Sequence, residues 1–364
     1  MFNLNVNRVE YQHEEDLKLI DYLREVLKLK GVKDGCAAGA CGACSVIADG
    51  KLIRACIMKL SKLEGKKIIT IEGLSERERD VYGYAFAKAG AVQCGFCIPG
   101  MVMAAKVLID VNNNPARDEI KKAIRGNICR CTGYIKIIDA IEIAAELIRT
   151  GNEVPENTDT GAIGERTMRV DAIPKTIGTA KYADDYEVEG MVYGKAIRPP
   201  AARCKVLSID PSKALEMDGV IGVYTADDIP GDRYIGHLQK DYPVMIAVGE
   251  ETRFIGDAVA LIVTETKEML EEAAGAVEIE YEELPPVNNP FEAMKDDAPQ
   301  IHGEGFKQFG SHYIPVNNVM SHQALKRGDV VAAFARSKYF SEHTFQVPFT
   351  EHAFMEPGSC SCHT

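Results

Sequence analysis

The stretch "KDGCAAGACGACS", residues 33–45, crowds three cysteines into nine residues and separates them only with glycine and alanine. Nothing else in the chain restricts its fold so strongly, because sulfur at this density requires either a disulfide framework or bound metal. The opening "MFNLNVNRVEYQHEED" lacks the basic n-region and apolar run of a secretory signal, so a cytoplasmic location is expected. In a reducing compartment, eleven cysteines favour metal binding over structural disulfides. Eight of the eleven precede residue 132, while Cys204, Cys360 and Cys362 stand apart.

Cys36, Cys41 and Cys44 are separated by four and two residues, and Cys56 follows after eleven more. This is the plant-type 2Fe–2S pattern, C-x₄-C-x₂-C with a distant fourth ligand. Thiolates and bridging sulfides carry negative charge that a tightly wrapped loop can meet with backbone N–H groups. Close approach and positive φ explain Gly35, Gly39 and Gly42, and Ala37, Ala38, Ala40 and Ala43 are too small to obstruct. A zinc site is the alternative, but zinc ligands usually come in two C-x₂-C or mixed Cys/His pairs.

A second set follows: Cys94 and Cys97 in "QCGFC", then Cys129 and Cys131 in "NICRCTGY", 31 residues further on. Taken alone, this set is open to zinc as well as to a second 2Fe–2S cluster. Each pair lies just before an expected helix, one starting near Pro99 and the other near Tyr134. Unpaired N–H groups and the positive dipole end of a helix suit an anionic cluster.

Around these sets the pattern of residues changes along the chain. Alternation in "MFNLNVNRV" predicts a strand entering a hairpin, and "EEDLKLIDYLREVLKL" predicts an amphipathic helix. "CSVIADGKLIRACI" predicts a hairpin about Asp49-Gly50, and "KKIITIEGL" another strand. Strands around one helix in about 75 residues suggest a small α+β, ferredoxin-like domain. Four helical segments follow in residues 76–150, with Pro99 and Pro115 near the starts of two, and predict a compact bundle. Residues 151–167, rich in Gly, Glu, Asn and Thr, read as a linker. "DAVALIVTETKEMLEEAAGAVEIEYEEL" predicts strand, helix and strand, and "KYFSEHTFQVPF" a strand entering a new sheet. The net charge of −12 argues against a nucleic-acid surface, and no apolar run reaches the ~18 residues of a membrane span.

The two cysteine sets in this order, with "QCGFCIPGMVMAAKVLI" and "IRGNICRCTGYIKIIDAIE", resemble the molybdenum hydroxylase family of xanthine dehydrogenases and aldehyde oxidoreductases. "VKDGCAAGACGACSV" is most similar to selenium-dependent members. The resemblance implies an α+β multidomain chain: a β-grasp 2Fe–2S ferredoxin domain over 1–75 and a four-helix 2Fe–2S domain over 76–150. After the 151–167 linker it implies an α/β hammerhead over 168–290, carried by "RVDAIPKTIGTAKYADD" and "RFIGDAVALIV", and the beginning of a molybdopterin-binding domain over 291–364. It makes Cys36, Cys41, Cys44 and Cys56 ligands of the outer cluster, and Cys94, Cys97, Cys129 and Cys131 ligands of the cluster nearer the pterin. At matching positions Gln93 would hydrogen-bond the pterin, and Cys131 would lie against it. Read on residue type alone, Gln93 is a helix-cap polar residue and Cys204 a buried small hydrophobe.

The implied activity is oxidative hydroxylation of a purine or related N-heterocycle, with aldehydes as the second substrate class. Electrons would leave through the two clusters. A stand-alone electron-transfer subunit and a zinc-stabilised interaction module are the competing readings. The linker of some 17 residues cannot hold a flavin domain, and no G-x-G-x-x-G loop occurs. A separate FAD subunit or another acceptor is therefore expected, with a homodimer as one arrangement of the whole. Glu351, His352 and Glu356 read as scaffold at a sheet edge, and no catalytic residue is expected here. The "GSCSCHT" ending departs from the family, so a truncated chain that transfers electrons without turning over substrate is expected, with Cys360 and Cys362 in a stray tail.

Overall fold

Asn7 and Arg8, both left-handed at φ +53° and +71°, turn the chain between strands β1 (Phe2–Val6) and β2 (Val9–His13). The computed structural model describes residues 1–158, 160–236, 240–301, 318–319, 324–348, 350–358 and 360. They form two units, Met1–Tyr186 with Gln346–Thr364, and Glu187–Phe345.

In the first unit Asp49 and Gly50, at φ +46° and +77°, make the expected hairpin between β3 (Ser45–Ala48) and β4 (Lys51–Arg54). With β5 (Lys67–Ile69) the strands order as β2-β1-β5-β3-β4, and only β1 and β5 run parallel. The helix is shorter than its pattern predicts: α1 (Leu19–Asp21) passes into a π-helical turn, Tyr22–Val26. Its expected first turn is lost because Leu17 and Leu19 bond the backbone of Leu60 and Met58 instead (3.0 and 2.7 Å). Leu4, Leu19, Leu23, Val46, Leu60 and Ile68 fill the space between sheet and helix.

Four helices follow, as the pattern predicts: α2 (Glu76–Ala89), α3 (Ile98–Val111), α4 (Arg117–Ile124) and α5 (Ile135–Thr150). Ser75 starts α2 with a capping box: its hydroxyl accepts from the Glu78 N–H, and the Glu78 carboxylate accepts from the Ser75 N–H. Val81, Phe86, Met101, Ile120, Ile137 and Ile141 form the bundle core. The described residues of 151–167 carry no helix or strand.

Residues 168–186, expected to open the α/β region, pack on this first unit. Helix α6 (Ala172–Thr176) lies against α2 and α3, with Ala172 in the bundle core. Asp185 then locks the segment, accepting from Arg24 Nη2 at 2.9 Å and Lys33 Nζ at 2.8 Å.

The tail differs too. Residues 338–348 form no strand, because no edge among the described residues takes their backbone groups, and Tyr339, Phe340, Phe345 and Val347 stay exposed. Residues 351–354 are no sheet edge either. Instead the carbonyls of Glu351 and His352 each accept from Arg130 at 3.0 Å. Cys362, and 302–305 of "QIHGEG", lie outside the described residues.

In the second unit β6 (Tyr193–Ile197), β8 (Val220–Thr225) and β11 (Ala260–Thr264) form an antiparallel sheet with β11 central. β7 (Cys204–Asp210) pairs with β12 (Glu278–Glu283), and β9 (Tyr234–Ile235) with β10 (Tyr242–Pro243). The expected strand, helix and strand are β11, α8 (Leu270–Gly275) and β12, while α7 (Ser212–Leu215) packs beside β8. Alternate residues of β11 enter a core of Ile197, Ala214, Ala260, Ile262 and Ala273. Cys204 is fully buried, as its residue type suggests. Among the described residues no helix is long and apolar enough to cross a membrane.

Burial raises the Asp185 carboxyl, but the Lys33 ammonium, the Tyr182 N–H and Arg24 outweigh it and hold the group below the usual carboxylate range. A carboxylate depressed on folding adds stability above its unfolded pKa of about 3.9 and loses it as pH falls through the folded value. Urea unfolding of Asp185→Asn should therefore show lower stability than wild type at pH 7. Its loss of stability between pH 7 and pH 3 should also be smaller than that of wild type.

Candidate 2Fe–2S sites

The expected eight cysteines fall into two groups of four in the first unit, and within each group the thiols lie close enough to influence one another. Cys36 and Cys41 are neighbours, as are Cys44 and Cys56, and Cys41 also feels Cys56. Cys97 likewise feels Cys129, Cys94 and Cys131, and Cys131 feels Cys94 and Cys129. All eight thiols are free of disulfides. Cys41, Cys44, Cys56, Cys97 and Cys129 are buried, while Cys36, Cys94 and Cys131 are partly exposed.

The first group is set by the loop between α1 and β3 and by the turn after β4. Backbone N–H groups point at its sulfurs: Ala38 and Cys41 donate to Cys36 Sγ at 3.4 Å, and Gly39 donates to Cys56 Sγ at 3.2 Å. Burial pushes the Cys36 thiol up, but the N–H groups of Cys41, Ala38 and Ala40 outweigh it and bring the thiol down to about 7. Burial raises Cys41, and raises Cys44 to about 12 with the neighbouring Cys56 thiol adding to it.

The second group is set by two helix starts. Cys97 is the residue before α3, and Cys129 and Cys131 lie in the loop before α5. Tyr134, at φ +71°, precedes α5 in the left-handed region, where a side chain costs roughly 1–3 kcal/mol. Its hydroxyl closes the loop by accepting from the Cys129 N–H at 2.9 Å. Contact with Cys97 lowers Cys129 to about 5 against burial, with Thr132 helping, whereas Cys97 itself is raised by the same contact. Burial raises Cys131.

The two loops interlock. Ile128 N–H donates to the Cys41 carbonyl at 2.7 Å, Asn127 Nδ2 to the Gly42 carbonyl at 2.9 Å, and Arg54 Nη2 to the Gly126 carbonyl at 2.6 Å. No side chain fits at Gly42, which has φ +76° and where a Cβ would stand 2.5 Å from the Gly126 carbonyl oxygen.

Two thiolates for each of two irons is what a 2Fe–2S cluster takes. A structural zinc takes four donors converging on one point. Among the described residues no three His, Cys, Asp or Glu side chains converge on a single ion.

The chain matches three family models: "2Fe-2S iron-sulfur cluster binding domain" over 2–70, "[2Fe-2S] binding domain" over 70–142, and "Aldehyde oxidase and xanthine dehydrogenase, a/b hammerhead domain" over 177–285. It is 45% identical to the nicotinate dehydrogenase small FeS subunit of Eubacterium barkeri, over 40% of this chain and 92% of that protein. The chain belongs to the molybdenum hydroxylase family. Aldehyde oxidoreductase of Megalodesulfovibrio gigas is 32% identical over 97% of this chain and 40% of its own length. The solved aldehyde oxidoreductase of Desulfovibrio desulfuricans superposes with a TM-score of 0.79 at 31% identity, over 93% of this chain and 38% of that one. The chain thus spans about two fifths of these molybdenum hydroxylases, and it carries two 2Fe–2S-binding domains and the hammerhead domain.

Gln93 is exposed in the loop before α3 and is no helix cap, since Cys97 occupies that position. Lys175 Nζ donates to its carbonyl at 3.3 Å. Sequence reasoning assigned no role to Lys33, Asn127, Arg130 or Tyr182. The one available signal was a Lys and a Tyr in "VKDGC" and "TAKYADD", unremarkable until the fold brings them together.

Gly42→Ala should disrupt the interlock. Gly50 is the control, because it has nearly the same φ (+77°) with nothing within 4 Å of an added Cβ. Gly50→Ala should cost about 1 kcal/mol in thermal or urea unfolding. Gly42→Ala should cost several times that and lower the iron bound per chain.

Proposed function

We propose that this chain is the electron-handling portion, with the hammerhead, of a molybdenum hydroxylase that oxidatively hydroxylates a small molecule. The carrying observation is the gathering of eight free thiols into two groups of four, joined by the Ile128 to Cys41 hydrogen bond. Cys36, Cys41, Cys44 and Cys56 would hold the outer cluster. Cys94, Cys97, Cys129 and Cys131 would hold the cluster nearer a molybdopterin, with Gln93 and Cys131 toward that cofactor. A 2Fe–2S cluster supplies one-electron chemistry when bound, and its potential follows hydrogen bonds, net charge and exposure.

The chain's own residues do three things for such groups. The N–H groups of Ala38, Gly39 and Cys41 offset thiolate charge. Donors around Cys36 and Cys129 favour the thiolate form that metal binding requires. Burial of Cys44 and Cys97 keeps water from the inner sulfurs.

A purine or related N-heterocycle is one substrate class for the whole enzyme. Aldehydes are the second, supported by the aldehyde oxidoreductase relative that aligns with 97% of this chain. Electrons would pass to a flavin subunit or another acceptor.

Metal analysis of the chain produced with ample iron should find about four irons and four sulfides per molecule. Reduction should give two distinguishable paramagnetic signals. Cys44→Ser should abolish one and Cys97→Ser the other. Zinc in place of iron, or one variant removing both signals from a folded chain, contradicts the assignment.

A further inference from the structure

Tyr182 stands where the two cysteine groups approach each other. Its ring belongs to one apolar cluster with Cys41, Ala43 and Phe96, against which Cys36 and Cys94 pack. Its hydroxyl donates to the Cys94 carbonyl at 2.9 Å. On the ring face lies the Lys33 ammonium, 4.7 Å from the centroid and 1% exposed. Lys33 donates to Asp185 Oδ2 at 2.8 Å, and Asp185 is held in turn by Arg24 (2.9 Å) and by the Tyr182 N–H (3.1 Å). Lys33 also feels Glu72, which accepts from the Gly31 N–H at 2.8 Å. The arrangement is a fixed dipole with its positive end on the phenol.

A buried ion pair is a poor means of merely fastening a segment. Desolvation offsets its attraction, and an apolar side chain of similar size usually packs as stably. Burial lowers the Lys33 pKa despite the pull of Asp185, so the charge is held at a cost. What the charge supplies is polarisation: a cation over an aromatic face is attracted to its π density, and linked hydrogen bonds strengthen one another in a low dielectric. Here the strengthened donor is the Tyr182 hydroxyl, and its acceptor is the peptide of a cysteine in the second group.

We propose that Lys33, acting through Tyr182, raises the reduction potential of the cluster bound by Cys94, Cys97, Cys129 and Cys131. Positive potential at a ligand's peptide favours the reduced state, which carries one more negative charge. Both are positioning residues, and no bond is made or broken. The inference rests on the ligand assignment above.

The test uses the full chain loaded anaerobically with iron and sulfide and poised stepwise with dithionite, each cluster's signal being followed by electron paramagnetic resonance. Cys44→Ser and Cys97→Ser assign the two signals. Tyr182→Phe keeps the ring and removes the hydroxyl. Reduction of the Cys94-group cluster should become about tenfold less favourable, a fall of about 59 mV for one electron, with a smaller change at the other cluster. Lys33→Met should shift it the same way, and Lys33→Arg should bring it back toward wild type. An unchanged midpoint in Tyr182→Phe at full iron content overturns the proposal, as does an equal fall at both clusters, which greater solvent access alone would give. Should Lys33→Met fail to fold, Tyr182→Phe decides by itself. A wild-type chain without iron overturns the ligand assignment first.

Discussion

Sulfur held against sulfur, away from water, governs the first unit. Thiols in such contact cannot all ionise without compensation, and each group answers in the same way. Cys36 and Cys129 are drawn down by neighbouring donors, while burial raises Cys41 and Cys44. That requires peptide N–H groups within reach of sulfur, hence a backbone wrapped closely and side chains no larger than alanine around it. The glycine and alanine content of residues 35–43 is the covalent record of this demand.

The same demand explains why two different architectures meet here. The loop before β3 supplies donors by curling around its sulfurs, whereas in the bundle Cys97 precedes α3 and the loop before α5 offers the Thr132 and Cys131 N–H groups to Cys129. The two surfaces approach so closely that Gly42 and Gly100 stand backbone to backbone, a Cβ at Gly100 falling 2.4 Å from the Gly42 carbonyl oxygen. Hydrogen bonds from Asn127, Ile128 and Arg54 then fix the contact, and helix α6 packs against α2 and α3.

Much of this was legible in the chain itself, for a local reason. The Asp49-Gly50 turn, the start of α2 at Ser75 and the Pro99 entry to α3 depend on backbone preferences that neighbouring residues carry wherever they are placed. The failures share the opposite cause. "EEDLKLIDYLREVLKL" has helical periodicity throughout, yet its first turn yields to a bridge with residues 58–60, some forty positions away. "KYFSEHTFQVPF" alternates like a strand, but alternation supplies no partner edge.

Residue type and spacing by themselves placed Cys36, Cys41 and Cys44 together, because a loop of C-x₄-C-x₂-C can bring its thiols to one place with only short-range closure. They also determined the order of the domains, since the change from strand to helix pattern and back is written in successive segments. Tertiary structure alone decided which N–H groups face the sulfurs, and that Lys33 and Tyr182 meet across 149 positions of sequence with an ion pair buried behind them. Burial and through-space charge depend on what the folded chain brings alongside a residue, and no local pattern encodes that.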